Sequence, residues 1–183
     1  MSEARFRIGR PGDVPALRQL IESAYRGKSA RAGWTHEADL LGGKRTSEAE
    51  LEAIVTSPDQ LMLLAEVSDS LVGCVCLTRL PEGVTYLGML SVNPDLQAGG
   101  LGRRLLSAAE TEAVSRFGTT LMEMTVISTR SELIAWYERR GYRLTGERRP
   151  FPEGDYGAFS PKDLEFVVLE KPLQRSDPAS APA

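Results

Sequence analysis

Leu90-Ser91-Val92-Asn93-Pro94-Asp95-Leu96-Gln97-Ala98-Gly99-Gly100-Leu101-Gly102-Arg103-Arg104 is the stretch that decides the fold of this chain. Val84–Val92 reads as a strand, and Asn93-Pro94 breaks it, because proline cannot donate to a sheet ladder. From Gly100 to Phe117 the residues Leu101, Leu105, Ala108, Ala109, Ala113 and Phe117 recur at helical spacing, and Gly118 stops the helix. A strand that passes through glycines into a helix suits an anion such as a pyrophosphate. The first helical turn has N–H groups without partners and a partial positive charge. Gly99, Gly100 and Gly102 allow close approach to the backbone, and Arg103 and Arg104 add formal charge. A nicotinamide or flavin fingerprint needs G-x-G-x-x-G at the first strand–helix junction. Here the spacing differs, the turn follows the fourth strand, and the lysine of a P-loop is missing. The glycines by themselves also allow a purely structural turn.

Outward from this segment the chain alternates strands and helices. On the N-terminal side, Phe6 and Ile8 alternate with Arg5 and Arg7 as a first strand. Asp13 is placed as the N-cap of a helix striped by Val14, Leu17, Leu20, Ile21, Ala24 and Tyr25. Gly27 to Gly43 reads as a loop. Ser47 and Glu50 spell a capping box before a second helix through Leu51, Ile54 and Val55, which Ser57-Pro58 ends. Leu61–Val67 and Leu71–Thr78 form a hairpin around Ser68-Asp69-Ser70. On the C-terminal side come a strand over Thr120–Val126, a helix opened by a Thr129/Glu132 capping box and ended at Arg140-Gly141, and strands over Tyr142–Glu147 and Glu165–Lys171. Residues 1–172 are expected to form one domain, and the Ser/Pro/Ala-rich 173–183 a disordered tail. The order β-α-α-β-β-β-α-β-α-β-β implies an α/β fold: a mixed sheet with helices on both faces.

The bulk numbers narrow the function. With 183 residues, one core can bury about 70% of the unfolded surface, so no metal or disulfide staple is required. A net charge of -3 and a pI near 5.4 argue against a general nucleic-acid binder. Cys74 and Cys76, the two cysteines, would share one face of a strand, poorly placed to bridge each other, and read as small buried hydrophobes. With one histidine besides, no metal site is expected. The N-terminus lacks an apolar signal and no apolar run is long enough to span a bilayer, so no membrane association and a cytoplasmic location are expected.

Gln97-x-x-Gly100-x-Gly102, after Leu90-Ser91-Val92 and before an amphipathic helix, resembles the coenzyme A signature (Q/R)-x-x-G-x-(G/A) of the GCN5-related N-acetyltransferases, the GNAT family. With the element order on both sides, the resemblance spans Arg5 to Lys171. It implies the acyl-CoA N-acyltransferase fold and acetyl-CoA as cosubstrate, with no metal. The backbone at Leu90, Ser91 and Val92 is then expected to hold the pantetheine arm and acetyl carbonyl. The turn Gln97, Ala98, Gly99, Gly100, Leu101, Gly102 and Arg103 is expected to hold the pyrophosphate. In this family the fourth and fifth strands splay apart and the thioester sits in the gap.

Val126-Ile127-Ser128-Thr129-Arg130-Ser131-Glu132-Leu133-Ile134-Ala135-Trp136-Tyr137-Glu138-Arg139-Arg140-Gly141-Tyr142 is similar to the family's second motif, with Arg130 in place of the usual asparagine as a coenzyme contact. Tyr137 stands where many members carry the tyrosine that protonates the leaving thiolate; read by itself it is an aromatic on a buried helix face. Some relatives place a glutamate base on the fifth strand where Thr125 stands here. Glu123 lies on the same strand face, either as a base acting through water or in a structural pair. Trp34, His36 and Glu37 fall in the loop where the family builds its acceptor site. Trp34 is an acceptor wall or a plug under the loop, and His36 a base or an exposed histidine. Arg148 to Pro152 line either the acceptor site or a partner subunit in a homodimer. The implied reaction is acetyl transfer to an amine of a small molecule or peptide in a ternary complex, since neither cysteine sits as a nucleophile. The alternatives are a non-catalytic acyl-CoA-binding module, or an enzyme that acylates a hydroxyl or uses a longer acyl-CoA.

Overall fold

The computed structural model of the protein describes residues 3–25, 46–150 and 164–174. The loop Gly27 to Gly43, the segment 151–163 and the tail from 175 lie outside them. The elements are β1 (Arg5–Ile8), α1 (Val14–Tyr25), α2 (Glu48–Thr56), β2 (Gln60–Val67), β3 (Ser70–Arg79), β4 (Val84–Val92), α3 (Leu101–Phe117), β5 (Leu121–Ile127), α4 (Ser131–Glu138), β6 (Arg143–Pro150) and β7 (Glu165–Pro172). The strands form one seven-stranded sheet in the order β1-β2-β3-β4-β5-β7-β6. β4 and β5 pair parallel and every other pair is antiparallel. The order and mixed sheet match the expectation from sequence.

Alternation along the strands divides the core into two layers. Leu61, Leu63 and Ala65 of β2 and Met122, Met124 and Val126 of β5 meet Leu101, Leu105, Leu106, Ala109 and Ala113 of α3, with Tyr137 of α4 in the same cluster. Met62 and Leu64, with Cys74 and Cys76 of β3, face Val14, Leu17, Leu20 and Ile21 of α1 and Leu51 and Ile54 of α2. Ser68 and Asp69, at φ 49° and 59°, turn the β2–β3 hairpin. Two residues at positive φ give a turn whose twist matches the strands. Gly118, at φ 65°, closes α3 by donating to the Val114 carbonyl at 3.1 Å.

Helix starts and one strand differ from the expectation. Asp13 does not cap α1; it closes a 3-10 turn, Pro11–Asp13, that leads into the helix. Its carboxylate accepts the Arg10 N–H at 2.8 Å and both terminal nitrogens of Arg7 at 2.8 Å. Ser47 accepts the Glu50 N–H, but the Glu50 carboxylate accepts the Thr46 hydroxyl at 2.8 Å, so half of the capping box forms. No Thr129/Glu132 box forms. The Arg130 N–H donates to Ile127 at 2.9 Å, and this tight turn puts Arg130, not Thr129, at the N-cap of α4. β6 runs on to Pro150, because Arg148, Arg149 and Pro150 pair with Val167, Phe166 and Glu165 of β7 beyond an irregularity after Leu144. Gly146, at φ 88°, lies in that irregularity. β6 is one of the two outer strands of the sheet, with β1 at the other edge, and nearly all of it is exposed.

The hydrogen bonds from Arg7 hold the Asp13 carboxyl below the usual carboxylate range, against the opposing effect of burial. A pKa lowered on folding stabilises the fold above the unfolded value, and that stability is lost as pH falls through the folded value. Asp13→Asn is expected to reduce the unfolding free energy by about 1.5–3 kcal/mol at pH 7, the range for hydrogen bonds to charged groups. The gap from the parent should narrow below about pH 4, the ordinary carboxylate range. Urea unfolding at several pH values reads this; a gap independent of pH would refute it.

Candidate active site

The sheet opens between β4 and β5. Their pairing runs from Val84↔Leu121 to Tyr86↔Glu123 and stops there, although both strands continue. Beyond that point β5 stays with β7 through Ile127↔Phe166, and β4 stays with β3. On the β3 side Cys76 faces Gly88 and Cys74 faces Ser91, so Met89 and Leu90 together oppose Val75. Met89 has φ 53°. An extra residue bends a strand and increases its twist, which carries β4 away from β5. Local bonds hold the bulge: the Met89 carbonyl accepts from the Ser91 hydroxyl at 3.0 Å and from the Cys74 thiol at 3.8 Å. Ser91 is buried and Leu90 packs on the α3 layer.

At the open end of the fork lies the glycine turn. Asn93 donates its N–H to Val72 at 2.8 Å and accepts the Asp95 N–H on its side chain at 3.0 Å. A 3-10 turn over Pro94–Gly99 follows, and Gly100, at φ 72°, swings the chain into α3. A side chain would be strained at Gly100. The first bond of α3 is Arg104 N–H to the Gly100 carbonyl at 3.2 Å. The N–H groups of Leu101, Gly102 and Arg103 precede it and have no in-helix acceptor. Among the described residues, a Cβ added at Gly99 or Gly100 would meet no atom within 4 Å beyond the neighbouring residues of the chain, so the turn itself is uncrowded. At Gly102 a Cβ would approach the Trp136 ring at 3.7 Å, which brings α4 alongside the turn.

Trp136 also seats Arg140, whose guanidinium carbon stacks 3.6 Å from the ring centroid. Burial, Arg139 and Arg103 all push the Arg140 pKa down. Among the described residues none of these three arginines pairs with a carboxylate. The result is unneutralised positive charge beside the start of α3, favourable to a phosphate. Tyr137 is buried in edge-on contact with Trp136 and Tyr142, at centroid distances of 4.9 and 5.7 Å. Arg130 is half-buried at the N-cap of α4.

Glu123 points to the opposite face from Met122 and Met124, away from Tyr137. Both its oxygens accept from Arg149, at 2.8 and 3.1 Å, and the Arg149 Nε donates to Glu147 at 2.7 Å. Nearby, the hydroxyls of Tyr86 and Thr125 meet at 2.6 Å across the fork. Sequence reading placed Glu123 and Arg149 near the site without foreseeing that they pair. The sequence carries one further signal, Tyr86, a tyrosine in the first half of β4 two residues before a glycine. Trp34, His36 and Glu37 lie outside the described residues. Gln97 and Ala98 lie in the 3-10 turn.

A family model described as the acetyltransferase (GNAT) family matches residues 15–142. An IAA acetyltransferase of Azospirillum brasilense is 31% identical over 160 residues, 86% of this chain and 91% of that protein. The chain belongs to the GNAT acetyltransferase family. Solved structures agree in fold. The ribosomal-protein-S18-alanine N-acetyltransferase from Escherichia coli superposes with a TM-score of 0.70 at 16% identity, over 98% of this chain and 99% of that one. The structure of yncA from Salmonella typhimurium with its cofactor acetyl-CoA gives 0.69 at 19% identity, over 100% and 99%.

This GNAT member therefore is an acyltransferase by family, and its two cysteines are buried in the α1–α2 layer. Burial pushes the Cys74 thiol up to about 12 and the Cys76 thiol up to about 11, so both stay protonated and poor as nucleophiles at neutral pH. Neither is disulfide-bonded. Among the described residues no cluster fit to hold a metal ion occurs, and no helix is long and apolar enough to cross a membrane. At pH 8 an aromatic disulfide reagent is expected to modify the two thiols only after denaturant is added. Rapid modification of the native protein would contradict their burial.

Proposed function

We propose that the protein transfers an acetyl group from acetyl-CoA to an amine of a small molecule or peptide, by direct attack in a ternary complex. One observation carries the reading: the bulged strand β4 parts from β5 and leads, through the Pro94–Gly99 turn, to a helix start at an uncrowded glycine turn. The amides of Leu101, Gly102 and Arg103 take the pyrophosphate, with Arg103, Arg139 and Arg140 adding charge. The turn Gln97 to Gly100 frames it, and Arg130, at the N-cap of α4, adds a coenzyme contact. The backbone at Leu90 and Val92 lines the fork and aims the thioester through it. Oxyanion stabilisation by a backbone N–H lowers the barrier to attack.

In the reaction the amine lone pair bonds to the thioester carbonyl carbon, the C–S bond then breaks, and the thiolate receives the Tyr137 hydroxyl proton. Tyr137 lies on the α3–α4 side of the sheet and the acceptor enters from the α1–α2 side, so the two proton movements take place on opposite faces. Glu123 directs both oxygens at Arg149 rather than into the fork, which supports a structural part for it and release of the amine proton to water.

Calorimetry with acetyl-CoA is expected to show one site per chain, and absence of binding would remove the whole reading. Tyr137→Phe keeps the ring and its packing but loses the donor. Its turnover, followed as thiol release over a panel of amines, is expected to fall at least about tenfold, at the low end for a positioned acid, with coenzyme affinity little changed. An unchanged rate would take Tyr137 out of the mechanism. Binding without turnover on any amine would favour a non-catalytic acyl-CoA-binding module, and a preference for propionyl or longer esters a different donor.

A further inference from the structure

On the face of the sheet covered by α1 and α2, one side chain bridges the fork. Tyr86 is the last β4 residue paired with β5. Its ring lies along β4 over Gly88, where an added Cβ would come within 3.2 Å of the ring atom Cε1. A side chain at position 88 would therefore press on the ring. The hydroxyl ends 2.6 Å from Thr125 Oγ1 on β5. The side chain thus crosses from one strand to the other just where their backbones stop pairing, and both residues are half-buried. A ring that only filled space would need neither its hydroxyl nor a threonine opposite.

Two hydroxyls that share one hydrogen bond keep one O–H proton and several lone pairs for a third group. Glu123, directed to the same face of β5, is engaged at both oxygens by Arg149, which is itself held by Glu147. The Tyr86–Thr125 pair keeps a free O–H and lone pairs at the fork, whereas the two Glu123 oxygens are both turned to Arg149.

We propose that Tyr86, oriented by Thr125, holds the attacking nitrogen of the acceptor. The phenolic oxygen accepts an N–H hydrogen bond and so turns the nitrogen lone pair toward the thioester carbon in the fork. This inference rests on the acetyl-transfer reading. Tyr86 takes no proton: the N–C bond forms, the C–S bond breaks, the nitrogen's surplus proton goes to water, and the Tyr86 hydroxyl is unchanged. The gain is orientation, which can supply a large share of a barrier reduction when the reacting atoms are held in line. Thr125 is a positioning residue, since it acts through Tyr86. Gly88 is the space that lets the ring lie flat.

The test uses acetyl-CoA with hydroxylamine, an amine nucleophile small enough to need no side-chain pocket, and follows thiol release. Tyr86→Phe is expected to lower kcat/KM for hydroxylamine roughly tenfold, the scale of one lost hydrogen bond at the reacting atom. The Kd for acetyl-CoA should stay within about twofold, and the pH profile should keep the parent's shape, because the group orients rather than titrates. Thr125→Val should show a smaller loss that Thr125→Ser restores. Gly88→Ala, which displaces the ring while leaving both hydroxyls in the chain, should lose rate with coenzyme affinity retained. Parent-like rates in Tyr86→Phe would overturn this inference and leave the transfer reading standing. Loss of one limb of the pH profile in that variant would make Tyr86 a base and overturn the assignment as well. An unaltered protein that binds acetyl-CoA but releases no thiol with hydroxylamine would overturn both.

Discussion

The parting of β4 from β5 is the constraint from which the rest of the site follows. One extra residue on β4, at Met89, keeps the strand bonded to β3 while turning it away from its parallel neighbour. A ladder that stops midway normally leaves backbone groups without partners in the interior. Here the Met89 carbonyl is met by Ser91 and Cys74, and β5 keeps full pairing to β7. The opening is thus stable as an opening. Without the bulge the two strands would continue to pair, and the start of α3 would sit above a closed sheet.

The same geometry sorts the chemistry by face. Period-two alternation sends Met122, Met124 and Val126 into the layer with α3 and Tyr137, and sends Glu123 and Thr125 to the other side. Arg103, Arg139 and Arg140 lie by the start of α3, and Tyr86, Glu123 and Arg149 meet on the other face of the sheet. On the proposed reading the reacting carbon lies in the fork between these two faces, approached from one and relieved of its leaving group from the other. The thiols of Cys74 and Cys76 are buried in the α1–α2 layer under the helices.

Much of this was readable from residue order. Val92-Asn93-Pro94 and the glycines before Leu101 marked the strand end and helix start because proline and positive φ leave few options. Apolar periodicity separated helices from strands, and the motif resemblance supplied the splay. Three things were not readable. Capping at Asp13 and Thr129 failed because each helix start depended on a turn one to three residues earlier, through Pro11 in one case and the Arg130–Ile127 bond in the other. The end of β6 at Pro150 depended on β7, a partner fifteen residues further on at Glu165, and local propensity carries no record of such pairing. The Glu123–Arg149 and Tyr86–Thr125 contacts join residues 26 and 39 positions apart, so single residues could be suspected but their partners could not.

The exposed outer strand β6 has a consequence of its own. A long, flat and apolar edge is a template on which a second chain can add a strand, and from there a fibre can grow. Arg143, Glu147, Arg148 and Arg149 put charge along this edge, Gly146 kinks it, and Pro150 ends it without a donor. This border of the sheet is therefore a poor template for a further strand.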